Sequence, residues 1–252
     1  MKTIKLLAVD IDGCITPGEG AAADLDVLKQ LCGFNARAES DPLVPAVSLC
    51  TGRQQPYVDL LAQLIGARRP SVFENGAGLH VPADYSFHFH PAITADMRRA
   101  LADFERAVEE KMCARGAAKL QPGKEVSLSV YPGAGYTVQD NAGELEVLLE
   151  STGAGLVLDV SINCINVLFA GIDKGSGIKW LADFEGIRAE ETGAVGDAPG
   201  DLPALAAAGF SACPANAVAQ VRAAADYRAS GRFGAGVVEI VEEVIRMNSS
   251  GG

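Results

Sequence analysis

The stretch LLAVDIDGCIT, residues 6–16, closes an apolar run on two carboxylates, Asp10 and Asp12. Ile4, Leu6, Leu7, Ala8 and Val9 form the near-continuous apolar sequence of a parallel strand buried on both faces, and Gly13 permits a sharp exit from it. Side chains two apart on a strand share a face, so Asp10 and Asp12 repel each other unless a cation, a partner or a reaction uses both. Taken alone, a D-x-D also reads as two solvated loop acids, and the rest of the chain has to decide.

Outward from this strand the pattern alternates. An apolar-periodic stretch near 22–32 is followed by PAVSLC at 45–50, YVDLLAQLIG at 57–66 and SVFEN at 71–75, which is βαβαβ and predicts a parallel sheet. The alternation resumes with a helix near 175–184, the strand TGAVG at 192–196, two helical stretches at 201–209 and 218–226, and a closing amphipathic helix near 235–247. Between the two halves the pattern changes. Ile93, Met97, Leu101, Phe104, Val108 and Met112 recur at three- and four-residue spacings and mark one long amphipathic helix. Strand-like KEVSLSVY (124–131) and GYTVQD (135–140), a helix near 142–151, and strands LVLDVS (156–161) and NCINVLFA (163–170) follow it. The expectation is an α/β fold: a Rossmann-like parallel-sheet core, 1–81 with 172–252, and an inserted α+β domain, 82–171, of αββαββ order. The tail NSSGG, 248–252, reads as disordered.

Composition narrows the function. With 252 residues, 48% hydrophobic and 21% charged, the chain can bury a substantial core. No apolar run is long enough to span a bilayer and no cleavage pattern follows the first residues, so the expectation is a soluble, cytoplasmic protein. The six cysteines, at 14, 32, 50, 113, 164 and 213, include no C-x-x-C pair and read as free thiols. A net charge of -11 argues against nucleic acid or an anionic membrane as partner. An anionic substrate would need a local cation to offset that field.

Reactive side chains recur where an open parallel sheet binds ligands, just past strand ends and at helix starts. Thr51-Gly52-Arg53 offers a hydroxyl and backbone amides suited to an oxyanion, although a helix N-cap reads the same way. Lys174, in GIDKGSG, puts a cation in a helix's first turn against the dipole, which a nearby anion would explain and an ordinary surface lysine would not require. TGAVGDAPGDLPAL, 192–205, places Asp197 and Asp201 around a Gly-rich turn. Four such carboxylates make little sense together without a lysine and a divalent cation among them.

In order, DIDGCIT at 10–16, Thr51 in CTGR, Lys174 and GDAPGD at 196–201 resemble the four motifs of the haloacid dehalogenase superfamily of phosphohydrolases. FENGAG at 73–78 and CPANA at 213–217 are similar to the branch with a large cap after the third core strand, as in phosphoglycolate, sucrose-phosphate and mannosyl-3-phosphoglycerate phosphatases. Two positions depart from the pattern: Cys14 stands where Thr is usual and Gly200 where Asn is usual. The resemblance implies Asp10 as nucleophile forming an aspartyl phosphate, Asp12 as acid then base, and Thr51, Gly52 and Lys174 as holders of the phosphoryl oxygens. It further implies a Mg²⁺ site at Asp10, the Asp12 carbonyl and Asp197, with Asp201 orienting Lys174 or a metal-bound water. Asn75 belongs to FENGAG and is expected on the substrate.

In the insert, strand parity separates Val126, Leu128 and Val130 from Ser127, Ser129 and Tyr131, and sets Asp159, Ser161 and Asn166 on a polar side. The resemblance implies that this polar face reads the substrate beyond its phosphate, with Lys124, Ser127 and Asn166 as candidate contacts. A merely solvated sheet face is the alternative. The function expected is a Mg²⁺-dependent phosphatase acting on a small phosphorylated metabolite. A phosphomannomutase-like phosphotransferase shares the motifs, and a receiver-type phospho-acceptor domain shares the residue types but not their order. The histidines His80, His88 and His90 are expected to be dispensable.

Overall fold

The computed structural model describes residues 3–152 and 155–250. The chain divides into two compact units, residues 1–88 with 173–252, and residues 89–172.

The first unit is built on a parallel sheet of order β12-β11-β10-β1-β2: β1 (Leu6–Val9), β2 (Ala46–Leu49), β10 (Thr192–Val195), β11 (Phe210–Cys213) and β12 (Tyr227–Arg228). Every pairing in it is parallel, with Leu6 opposite Thr192 on one side and Ala46 on the other. All four residues of β1 are buried, as a strand covered on both faces requires. Helices α5 (Lys174–Glu185), α6 (Leu202–Ala207) and α7 (Ala219–Ala224) contribute Ile178, Leu181, Leu205 and Val221 to a cluster with Leu6, Ala8 and Ala194. Helices α1 (Leu25–Ala38) and α8 (Phe233–Ser250) pack together, α1 also against β2 and α8 also against β11. A bridge from Cys50 to Val72 leads to a second sheet of β3 (Ser71–Phe73), β4 (Gly78–Val81) and β5 (Ser86–Phe89). The short helix α2 (Gln55–Leu64) connects β2 to β3.

Residues 248–250 of the tail belong to α8, contrary to the expectation of disorder, and residues 251–252 lie outside the described residues. Asn248 is 5% exposed, its Oδ1 accepts from Ile4 N, and its Nδ2 donates to the carbonyls of Ile4 and Leu43, all at 2.9 Å. These bonds extend α8 past the point where its apolar periodicity fades.

The second unit carries α3 (Ala95–Lys111), capped by Thr94, whose hydroxyl accepts from Met97 N, and α4 (Val138–Thr152). Leu101, Phe104, Val108 and Met112 are buried, as their spacing predicts. Its antiparallel sheet has the order β6-β7-β9-β8, from β6 (Ala118–Leu120), β7 (Leu128–Pro132), β8 (Leu156–Val160) and β9 (Ile165–Phe169). The order αββαββ is present, but its second strand is not GYTVQD. Thr137 and Asp140 exchange bonds, Thr137 N to Asp140 Oδ2 at 2.8 Å and Asp140 N to Thr137 Oγ1 at 3.1 Å, which starts α4. The first strand is instead AKL at 118–120, too short to show a period.

Candidate active site

Three chain segments leave the sheet at the carboxyl ends of β1, β2 and β10, where the strand order reverses direction. Asp10 N donates to Val195 O at 2.9 Å, Cys50 N to Val9 O at 2.9 Å, and Thr51 N to Val72 O at 3.1 Å, so the ladder itself fixes where Asp10 and Thr51 emerge. Lys174 opens α5 behind the N-cap Asp173, whose carboxylate accepts from Ser176 N while Ser176 Oγ accepts from Asp173 N.

The Lys174 ammonium lies 3.0 Å from Asp10 Oδ2 and 2.6 Å from Asp201 Oδ1, with all three side chains buried. The anion that explains a first-turn lysine is therefore a pair of carboxylates. Burial alone would lower the lysine's pKa, but Asp10 and Asp201 outweigh it and hold the group well above its ordinary value. Asp10, Asp197 and Asp201 each bring an oxygen within 4.8 Å of the others. Burial, then repulsion from Asp201, pushes Asp10 up to about 7 against the pull of Lys174. Burial, Asp201 and Asp10 likewise push Asp197 up to about 7.

One ammonium among three crowded carboxylates leaves excess negative charge on hard oxygen donors, a set that fits a divalent cation such as Mg²⁺. The donors are not equivalent. Asp201 uses Oδ1 on Lys174 and Oδ2 on the amides of Asp197 and Ala198, at 2.9 and 3.0 Å, so both its oxygens orient other groups. Asp12's carboxylate lies outside the cluster, turned to Arg53. Asp10 and Asp197 are left as the side chains suited to hold the ion, with the Asp12 carbonyl on the same turn.

That turn folds tightly: Thr16 N donates to Ile11 O at 2.9 Å and Gly13 N to Thr16 O at 2.8 Å. Asn216, within CPANA, donates from Nδ2 to Gly13 O at 2.8 Å while its Oδ1 accepts from Phe233 N at 2.7 Å. It ties the turn after Asp10 to the start of α8. Cys14, in place of the usual Thr, is fully buried.

Thr51 is not a helix N-cap. Gln54 holds that position for α2, and the Thr51 hydroxyl accepts from Arg53 N at 3.2 Å, bending residues 51–53 into a loop before the helix. Arg53's own amide is thereby used, which leaves Gly52 as the loop's candidate amide donor. Asn75 sits against this loop in a left-handed conformation, φ 56°, donating from its backbone N to Thr51 O at 2.9 Å. A Cβ on Gly52 would fall 2.9 Å from Asn75 Oδ1, and Asn75 Nδ2 is buried without a hydrogen-bond partner among the described residues. Sequence reasoning gave Arg53 no side-chain role, yet Arg53 grips Asp12 at 2.6 and 2.8 Å.

Within the second unit, Ser129, Asn166 and Asp159 lie opposite one another across β7, β9 and β8. Lys124 Nζ donates to Ser129 Oγ at 2.6 Å, Ser129 Oγ to Asn166 Oδ1 at 2.6 Å, and Asn166 Nδ2 to Asp159 Oδ2 at 3.2 Å. Parity holds, but the face is less open than expected, since Ser127 and Ser129 are only 1% and 2% exposed. Ser129, which the strand parity places on the polar side without a role, links Lys124 to Asn166. The histidines join no acidic cluster among the described residues: His80 is buried and stacks on Phe87, His88 Nε2 pairs with Ser86 Oγ at 2.9 Å, and His90 Nδ1 accepts from Ala92 N.

Residues 139–240 match the family described as haloacid dehalogenase-like hydrolase. The chain is 32% identical over 224 residues to a phosphoglycolate phosphatase of Halorubrum lacusprofundi, covering 87% of this chain and 88% of the relative. It belongs to the haloacid dehalogenase-like hydrolases and is a phosphatase. In fold it is similar to a Thermoplasma acidophilum crystal structure, with a TM-score of 0.75 at 20% identity over 96% of this chain and 98% of that one. It is also similar to the sucrose-phosphatase of Synechocystis sp. PCC6803, with a TM-score of 0.70 at 16% identity over 96% and 98%. Among the described residues no helix is long and apolar enough to cross a membrane.

Proposed function

We propose that the protein hydrolyses a small phosphorylated carboxylic acid of the phosphoglycolate type, through an aspartyl phosphate on Asp10 and with Mg²⁺. The observation that carries this reading is the Lys174 ammonium set 3.0 Å from Asp10 Oδ2 inside a group of buried carboxylates. A nucleophilic carboxylate needs its charge compensated while a phosphate dianion approaches, and Lys174 supplies that compensation at the Asp10 carboxylate.

In the proposed sequence an Asp10 oxygen attacks phosphorus as the P–O bond to the leaving alcohol breaks. Asp12 gives that oxygen its proton. Water then attacks phosphorus of the acyl phosphate and Asp12 takes its proton, releasing inorganic phosphate and restoring Asp10. Thr51, the Gly52 amide and Lys174 hold the phosphoryl oxygens, Asn75 Nδ2 is a further donor beside that loop, and Asp201 keeps Lys174 in place. Asp10, Asp197 and the Asp12 carbonyl would hold Mg²⁺, which when bound offsets the charge shared by the nucleophile and the phosphoryl oxygens.

The acid preference rests on the H. lacusprofundi relative, a phosphoglycolate phosphatase. Phosphate release should be measured across phosphoglycolate, hexose phosphates, sucrose phosphate and nucleotides, with Mg²⁺ and after exhaustive chelation. Phosphoglycolate should give the highest kcat/KM, without any bisphosphate activator and only with the metal. A requirement for a bisphosphate would indicate a mutase, and turnover that survives chelation would remove Mg²⁺ from the reaction.

A further inference from the structure

Beside the nucleophile turn lies a cation to which the proposed reaction gives no part. Arg53 donates from Nε to Asp12 Oδ2 at 2.6 Å and from Nη2 to Asp12 Oδ1 at 2.8 Å, a two-pronged grip on one carboxylate. The guanidinium is itself held. Its Cζ lies 4.8 Å from the centre of the Tyr57 ring, and its Nη2 lies 3.8 Å from Glu19 Oε1. The Arg53 backbone is fixed on both sides, N to the Thr51 hydroxyl at 3.2 Å and O from Glu74 N at 3.0 Å. The two side chains are 13% and 25% exposed, so the pair is largely shielded from water.

We propose that Arg53 is a positioning residue that acts through Asp12, fixing the orientation of the carboxylate that serves as acid and then as base. This rests on the proposed role of Asp12. A free aspartate side chain turns about two torsions, whereas a fork that engages both oxygens fixes both of them. A proton must be delivered to the leaving oxygen and later taken from water arriving on the same line, so one held orientation serves both steps. The fork explains why arginine is suited to the position. Lysine would keep the charge but offer a point donor that leaves the carboxylate free to rotate.

The test is a double-mutant cycle with Arg53→Ala, Asp12→Ala and the double variant, plus Arg53→Lys, on phosphoglycolate and on p-nitrophenyl phosphate. Arg53→Ala is expected to lower kcat on phosphoglycolate by roughly 10- to 100-fold with KM within about threefold, and to lower it much less on p-nitrophenyl phosphate, whose leaving group needs little protonation. Arg53→Lys should recover only a small part. Adding Arg53→Ala to Asp12→Ala should cost less than about threefold more. Urea unfolding of the four proteins in chelator gives a readout without turnover, in which the two losses should again fail to add.

A rise in KM at constant kcat would make Arg53 a substrate contact and overturn the proposal. Additive losses in both kcat and unfolding would do the same. Where Asp12→Ala slows the two substrates equally, the acid role of Asp12 falls, and Arg53's role with it. Where Asp12→Ala shows the leaving-group dependence but Arg53→Ala does not, only the Arg53 proposal fails.

Discussion

Gly13 and Asp197 approach so closely that a Cβ on Gly13 would fall 2.2 Å from Asp197 Oδ2, and the Gly13 backbone stands at φ +82°. Any side chain there meets two penalties, a strained left-handed backbone and the carboxylate suited to hold the metal. Gly13→Ala should therefore cost about 1–3 kcal/mol of stability and displace Asp197. Isothermal titration with Mg²⁺ should show weakened binding, and kcat should fall about 100-fold, in line with an ångström-scale misplacement. Unchanged metal affinity would mean that Asp197 does not depend on this approach.

Asp10→Asn should lower turnover by at least about 10³-fold, because the amide is no longer a nucleophile, while circular dichroism and the unfolding midpoint stay near those of the parent. Asp12→Asn should depend on the leaving group, slowing phosphoglycolate far more than p-nitrophenyl phosphate. Equal slowing of both substrates would assign Asp12 another role.

The parallel core and the reactive strand ends were legible because each rests on a local signal, a continuous apolar run followed by a glycine turn and an acid. The elements that escaped carry no such signal. AKL at 118–120 is a strand only because β7 pairs with it, and β12 is a strand of two residues. GYTVQD shows a strand-like mix of residues, yet the reciprocal Thr137–Asp140 cap decides for helix. In the site, Asp10, Thr51, Lys174, Asp197 and Asp201 were all visible as residue types in motif order. Which oxygen of Asp201 serves which partner depends on side-chain directions, as does the grip of Arg53 on the Asp12 carboxylate across 41 residues of separation. No pattern in the chain encodes those directions.

Asn248 illustrates the same limit in the tail. It satisfies three backbone groups, Ile4 N, Ile4 O and Leu43 O, in an environment with little water. Asn248→Ala should cost about 1–3 kcal/mol, the range for leaving buried backbone groups without partners. Urea denaturation measures this directly, and kcat should not change. A loss below a few tenths of a kcal/mol would mean that the end of α8 contributes little to holding β1.

Buried His80 predicts a specific acid sensitivity. Burial lowers its pKa below the ordinary 6.5, and the Asp59 carboxylate, 3.5 Å from Nε2, opposes this only in part. A base with a depressed folded-state pKa takes up a proton more readily when unfolded. Its contribution to stability is therefore complete above about 6.5 and declines as pH falls from there through the folded value. Phenylalanine would keep the stacking on Phe87, whose ring centre is 5.1 Å away. Melting temperatures measured from pH 7.5 to 5 should fall less steeply for His80→Phe than for the parent. Parallel curves would exclude His80 as a source of acid sensitivity.

The proposal that the polar face of the second unit reads the substrate is tested on the chain of donors from Lys124 through Ser129 and Asn166 to Asp159. Each member has a different use: Lys124 carries the charge, Ser129 accepts from it at 2.6 Å and passes the bond on, and Asn166 is anchored on Asp159. A substrate carboxylate reached by Lys124 would gain a charge-assisted bond, so Lys124→Ala should raise KM for phosphoglycolate roughly 10- to 100-fold. Ser129→Ala should raise it only a few-fold, because the ammonium keeps its charge and loses one restraint on its direction. Asn166→Ala removes the next link and should resemble Ser129→Ala more than Lys124→Ala. Ser127→Ala, at a serine of the same stretch that is also buried, should matter least to KM. p-Nitrophenyl phosphate has no carboxylate and should be hydrolysed at near-parent rates by all four variants. A glycerol phosphate control, similar in size but without the carboxylate, separates charge recognition from shape: Lys124→Ala should leave its KM within about threefold of the parent value. Equal losses on phosphoglycolate and on the carboxylate-free substrates would show that Lys124 supports the fold of its unit, not the choice of substrate.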